Sequence, residues 1–107
     1  MNFTQPGARD RKRLRQIAHH LDPVILVGDA GVTDAVITET TRALLDHELI
    51  KVRVAGEDRQ ARLADIQRLA QACDAHIVQT IGKMVVLYRH NPDAKPKLSN
   101  LSRFGVS

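Results

Sequence analysis

Val24-Ile25-Leu26-Val27-Gly28-Asp29-Ala30-Gly31-Val32-Thr33-Asp34-Ala35-Val36-Ile37 decides how the chain folds: four apolar residues, a short turn bracketed by two glycines, then the start of a helix. A continuous apolar run of this length beside glycine predicts a strand buried on both faces. Gly28 and Gly31 remove the Cβ obstruction at both ends of the turn, so backbone N–H groups can lie open against a ligand. Thr33 or Asp34 caps the next helix, whose unpaired N–H groups and positive dipole end face the same space. Such a corner suits an anion such as phosphate. A G-x-x-G on its own is more often an ordinary turn, and the rest of the chain is what points past that.

Upstream, residues 1–8 contain Pro6 and Gly7 and read as a loose arm. From about Arg9 to Leu21, Leu14, Ile17, Ala18 and Leu21 recur at helical spacing and form one apolar stripe. Arg9, Arg11, Lys12, Arg13 and Arg15 occupy the other faces with only Asp10 against them, a one-signed surface fit for an anionic partner. Asp22-Pro23 ends that helix, because proline disfavours the α region for the residue before it.

Downstream, a second helix is predicted from about Thr33 to Asp46, with Val36, Ile37, Ala43 and Leu44 inward and Thr40 at a position where a larger apolar group is expected. Leu49 to Val54 alternates with period two. Leu49, Lys51 and Arg53 share one face, Ile50, Val52 and Val54 the other, so one side of the sheet reaches solvent near Lys51 and Arg53. Ala55-Gly56-Glu57-Asp58 turns the chain, and Asp58 caps a third helix ending near Cys73 with Leu63, Ile66, Ala70 and Cys73 inside. His76 to Thr80 and Met84 to Arg89 are strand-like and joined through Gly82-Lys83, which makes them an antiparallel hairpin. Residues 91–107, with Pro92, Pro96, Lys95, Lys97 and Arg103, read as a mostly disordered basic tail.

The element order is α-β-α-β-α-β-β, a two-layer α/β domain over residues 1–90 with a four-stranded mixed sheet. Right-handed crossovers put the second and third helices on one side of a sheet whose first three strands run parallel. The carboxyl ends of those strands then share an edge, where ligands of such sheets bind. That edge receives the Gly28 to Gly31 loop, the Gly56 to Arg59 turn and the Gly82-Lys83 turn, with Arg59 and Lys83 placed to add charge.

The totals agree. A chain of 107 residues makes one domain, and its formal charge of +4 favours a polyanionic partner. The single cysteine, Cys73, falls in a helical apolar pattern and reads as a reduced, buried thiol. No apolar run approaches the roughly 18 residues of a membrane span, and no signal peptide is evident, so a cytoplasmic protein is expected. Only Phe3, Tyr88 and Phe104 are aromatic, too few for an aromatic stacking platform.

AHHLDPVILVG, the G-x-x-G loop followed by Val32-Thr33, HELIKVRVAGEDR and VQTIGKMVVLYR, taken in this order and spacing, resemble the YhbY-type CRM family, the chloroplast RNA splicing and ribosome maturation domain. The similarity spans about Arg9 to Arg89. It implies a fold like the C-terminal domain of translation initiation factor three and an RNA-binding protein associated with precursors of the large ribosomal subunit. It further implies that Gly28, Asp29, Ala30 and Gly31 contact RNA together with nearby basic residues. Asp29 departs from the basic or neutral residue common between the family's glycines. A carboxylate there opposes phosphate, so the loop is expected to supply shape and N–H groups while cations elsewhere supply affinity.

Catalytic readings fare poorly. GDAGVT lacks the lysine and serine of a Walker A loop. The five histidines lack ligand-like spacing, Glu57-Asp58 is better placed as a helix cap than as an acid-base pair, and no nucleophile and base can be set together. The expectation is therefore a monomeric RNA-binding protein with no enzyme activity, metal or cofactor, using Arg11, Lys12, Arg13, Arg15, Lys51, Arg53, Arg59, Lys83 and the glycine loop. A duplex-DNA packaging protein and a basic adaptor for an acidic protein are the rival readings.

Overall fold

The computed structural model describes residues 6–104, so most of the arm expected over residues 1–8 and the last residues of the tail lie outside it. The order is α1 (Ala8–Ala18), β1 (Pro23–Val27), α2 (Asp34–His47), β2 (Leu49–Val54), α3 (Arg59–Ala72), β3 (His76–Ile81), β4 (Met84–Tyr88) and a short α4 (Asn100–Arg103). Gly7 caps α1, with its N–H donating to the Asp10 carboxylate at 3.2 Å. The helix ends earlier than its apolar stripe. His20 and Leu21 close tighter turns onto the carbonyls of Ile17 and Ala18 ahead of Asp22-Pro23. Thr33 caps α2 by accepting from the Val36 N–H at 3.2 Å, and Asp58 caps α3 by accepting from Gln60 at 3.0 Å.

The sheet order is β1-β2-β4-β3. β1 and β2 are parallel, and β4 is antiparallel to both β2 and β3, so β1, β2 and β3 all point one way. The third of these strands is not β2's neighbour, however: β4 folds back through the two-residue Gly82-Lys83 turn and fills the place between them. Gly82, at φ +55°, supplies the positive φ that a two-residue hairpin turn needs to match strand twist.

Two apolar layers sandwich this sheet. On one face α2 and α3 cover Ile25, Val27, Ile50, Val52, Val54, Val85 and Leu87, with Leu44, Ile66 and Leu69 from the helices. Cys73 belongs to this layer, where it accepts from the Thr41 hydroxyl at 3.4 Å and donates to the Ile37 carbonyl at 3.7 Å. Leu63, expected inside, is 39% exposed, and Leu69 takes the inward position instead. On the other face α1 and α4 cover Leu49, Val78, Val86 and Tyr88 through Leu14, Ile17, Ala18 and Leu101. This second cover is partial, and β1 is consequently not buried on both sides. Val24 and Leu26 are 55% and 60% exposed while Ile25 and Val27 are buried.

Residues 91–104 do not form a disordered tail. Glu48, buried at the end of α2 with φ +61°, accepts from the Asn91 N–H at 3.0 Å and the Ser99 hydroxyl at 2.9 Å. The Asn100 amide donates to the Leu49 carbonyl at 2.7 Å, and Leu101 is buried beneath α1. The buried carboxylate and the β2 carbonyl need donors, and this segment brings them, which is why its proline-rich, polar sequence still follows one path.

Ending the chain after His90 should therefore lower stability by about 2–4 kcal/mol, through lost Leu101 burial and orphaned Glu48 and Leu49 acceptors. Urea unfolding of both lengths checks this. Thr40 is fully buried, and its hydroxyl has no partner among the described residues. T40V, which keeps the shape and removes the unpaired oxygen, should raise stability by about 1 kcal/mol in the same assay.

Candidate functional site

The shared direction of β1, β2 and β3 gathers three turns at one rim. Backbone bonds stitch it: Ala55 N–H donates to the Val27 carbonyl at 2.8 Å, and Val54 N–H to the Lys83 carbonyl at 2.7 Å. In the glycine loop, the Gly31 N–H donates to Gly28 at 3.0 Å and the Thr33 N–H to Gly31 at 3.1 Å. These bonds occupy two of the loop's donors and leave the N–H groups of exposed Asp29 and Ala30 at the tip. Gly31 sits at φ +76°, and a Cβ there would lie 4.0 Å from both carboxylate oxygens of Asp65. A Cβ on Gly28 would meet nothing within 4 Å, so the outer side of that glycine is open.

Acidic side chains outnumber cations at the rim, five to three among the described residues. Lys83 is held by Glu57 at 2.9 Å, and this lysine's hydrogen bond and charge lower the Glu57 pKa from its ordinary value. Arg62 donates to the Gly56 carbonyl at 2.7 Å and steadies the turn, while exposed Arg59 stands beside Thr80 and Gly82. Asp29, Asp34, Asp58 and Asp65 offset these cations.

The face beyond the rim is different. Leu26 pairs with Arg53, Arg53 with Met84 and Met84 with Ile81, so these four residues form a row across the whole sheet on the α1 side. Behind it Lys51 pairs with Val86 and Val86 with Gln79. A register irregularity at Val78 lets that side chain stay in the core under α1 while Gln79 and Ile81 face the open side. Lys12, Arg15 and His19 of α1 overhang this floor, enclosing a groove of about 750 Å³. No Asp or Glu lines the groove among the described residues.

The sequence-predicted residues thus fall into two adjoining groups, Gly28 to Gly31 with Arg59 and Lys83 on the rim, and Lys12, Arg15, Lys51 and Arg53 on the face. Arg11 and Arg13 are exposed on α1 but do not line the groove. Sequence reasoning missed His19, Gln79, Ile81 and Met84. The available signal was apolar residues at alternate strand positions facing away from α2 and α3, which the apolar run of β4 hides. No group of three or more His, Cys, Asp or Glu among the described residues could hold a metal. Their histidines do other work: His20 stacks on Phe104 with centroids 5.9 Å apart, and His47 Nδ1 lies 2.8 Å from the Leu98 carbonyl.

Residues 8–89 match the CRS1 / YhbY (CRM) domain family. The chain belongs to this family. A probable RNA-binding protein of Pseudomonas aeruginosa is 46% identical over 94 residues, which cover 88% of this chain and 90% of the relative. An RNA-binding protein of Haemophilus influenzae is 42% identical over 96 residues, covering 90% and 97%. Among solved structures, a hypothetical protein of Staphylococcus aureus, put forward as an RNA-binding protein, superposes with a TM-score of 0.73 at 30% identity over 83% of this chain and 93% of that one. The CRM match ends at Arg89, so the segment docked on Glu48 lies beyond it.

The two loop glycines of this CRM domain should respond differently to a methyl group. G31A forces an L side chain into left-handed backbone and should cost about 1–2 kcal/mol. G28A should stay within about 0.5 kcal/mol of the parent. Thermal melts of the two variants test this directly.

Proposed function

We propose that this CRM domain is a non-catalytic, monomeric, cytoplasmic protein that binds structured ribosomal RNA during large-subunit assembly. The observation that carries the proposal is the continuity of two surfaces: an open glycine loop offering backbone N–H groups, and a sheet face whose charged groups, among the described residues, are all cations. Phosphates at the loop tip meet N–H donors without needing a cation in the loop, which suits the presence of Asp29. Lys12, Arg15, Lys51 and Arg53 supply the attraction, and Arg11 and Arg13 extend it outward from α1. Arg59 remains available at the rim, whereas Lys83 is partly neutralised by Glu57. The RNA-binding descriptions of the Pseudomonas and Haemophilus relatives support the nucleic-acid class; the ribosomal target rests on the family resemblance.

Binding of a ribosomal RNA fragment should weaken with salt. With about five phosphates neutralised, the slope of log affinity on log salt should be roughly −3.5 on single-stranded regions and steeper on duplex. A flat dependence, or equal preference for duplex DNA at matched salt, would contradict the proposal. E57Q frees Lys83 and should strengthen binding at low salt while steepening that slope by about 0.7. G28A should weaken binding severalfold at unchanged stability. Co-sedimentation with large-subunit precursors should disappear after nuclease treatment.

A further inference from the structure

The open face carries a feature that phosphate binding leaves unexplained. When one side of a sheet meets water, its outward positions are ordinarily polar. Here Leu26 and Ile81 are each 60% exposed at opposite ends of the row, with Met84 half-buried between them, and Val86 continues the apolar floor beneath α1. An apolar floor under a rim of cations is an arrangement for a ligand with both a flat apolar body and negative charge. The groove's volume lies within the roughly 300–1,000 Å³ of small-ligand sites.

We propose that the groove between α1 and the sheet holds an unpaired nucleotide of the bound RNA, with its base lying on Ile81, Met84 and Val86 and its phosphates met by Lys12, Arg15 and Lys51. This rests on the RNA-binding reading above and deepens it. Recognition of single-stranded RNA uses bases splayed out of the helix and laid on side-chain surfaces, most often aromatic ones. Aliphatic and thioether side chains give the same burial without the stacking term, and Met84 is flexible enough to accept more than one base. Charge decides between occupants: a second copy of this chain would bring its own cations to a groove that no Asp or Glu lines among the described residues, and an apolar peptide would leave three cations without partners.

The geometry also fixes how the nucleotide relates to the rest of the RNA. Met84 and Ile81 adjoin the Gly82-Lys83 turn, and Arg53 precedes the turn that enters α3, so the groove opens onto the rim that carries the glycine loop. A strand leaving a structured element held at the loop can cross the sheet and lay an unpaired nucleotide beneath α1. The site therefore selects junctions between paired and unpaired RNA rather than a continuous duplex.

The test compares wild type, M84Q and I81S by fluorescence anisotropy against three labelled RNAs: a blunt hairpin, the same hairpin with a three-nucleotide single-stranded extension, and that extension with abasic sites. Met84 and Ile81 are at least partly accessible, and melts of both variants verify their folding. Wild type should prefer the extended hairpin over both the blunt and the abasic forms by roughly tenfold, and both variants should lose that preference while keeping blunt-hairpin affinity. A 4-thiouridine placed in the extension should crosslink to residues of β3, β4 or α1. Equal binding of extended and abasic hairpins, or crosslinks confined to residues 28–31, would overturn the groove assignment and leave RNA binding intact. Absence of binding to any of the three, and to a ribosomal RNA fragment, would overturn the RNA-binding reading itself.

Discussion

Two backbone hydrogen bonds, from Ala55 to Val27 and from Val54 to Lys83, determine what this domain can present to a partner. They join the ends of β1 and β2 to each other and to the hairpin turn, and they form because β1, β2 and β3 run in one direction. Three turns distant in sequence are thereby held at neighbouring strand spacings. The position of β4 matters as much. As the strand between β2 and β3, it puts Met84 beside Arg53 and makes one uninterrupted surface from Leu26 to Ile81.

The division of labour on that surface follows from charge. At the rim, Glu57 pairs with Lys83, Asp58 caps α3 and Asp65 sits behind Gly31, while Asp29 is exposed at the loop tip. In the proposed mode of binding the loop contributes shape and oriented N–H groups, so Asp29 need not meet a phosphate. In the same proposal long-range attraction comes from the face under α1, where no Asp or Glu among the described residues lines the groove of cations and apolar side chains. Burying the α1 stripe against Leu49, Val86 and Tyr88 fixes where those cations stand, and the Leu101 segment closes the same layer from the other end.

Much of this architecture was legible in the sequence. The period-two alternation of Leu49 to Val54 assigned Lys51 and Arg53 to the open face, Thr33 and Asp58 marked helix starts, and Gly82-Lys83 fixed the hairpin. The apolar run of β1 misled for a definite reason: a strand buried on two faces and a strand with one apolar face in water have the same composition, and only the extent of α1's cover separates them. Within residues 91–107, the described part up to Phe104 reads as disordered in sequence because its ordering comes from one buried carboxylate, Glu48, and the Leu49 carbonyl, both more than forty positions away in the chain. Leu63 and Leu69 both lie on the apolar side of α3, and which is buried depends on how the helix is rolled on the sheet. The groove escaped for a related reason, since Ile81 and Met84 are core-like residues until the sheet order places them outside.

If the rim and the face under α1 form one continuous contact surface, RNA must touch both at once. Backbone amide shifts of the labelled protein, followed as a structured ribosomal RNA fragment is added, should change from Asp29 and Ala30 through Arg53 and Lys83 to Lys51 and the groove side of α1, with the solvent faces of α2 and α3 undisturbed. Changes centred on those outer helix faces, with the glycine loop and β4 unmoved, would contradict it.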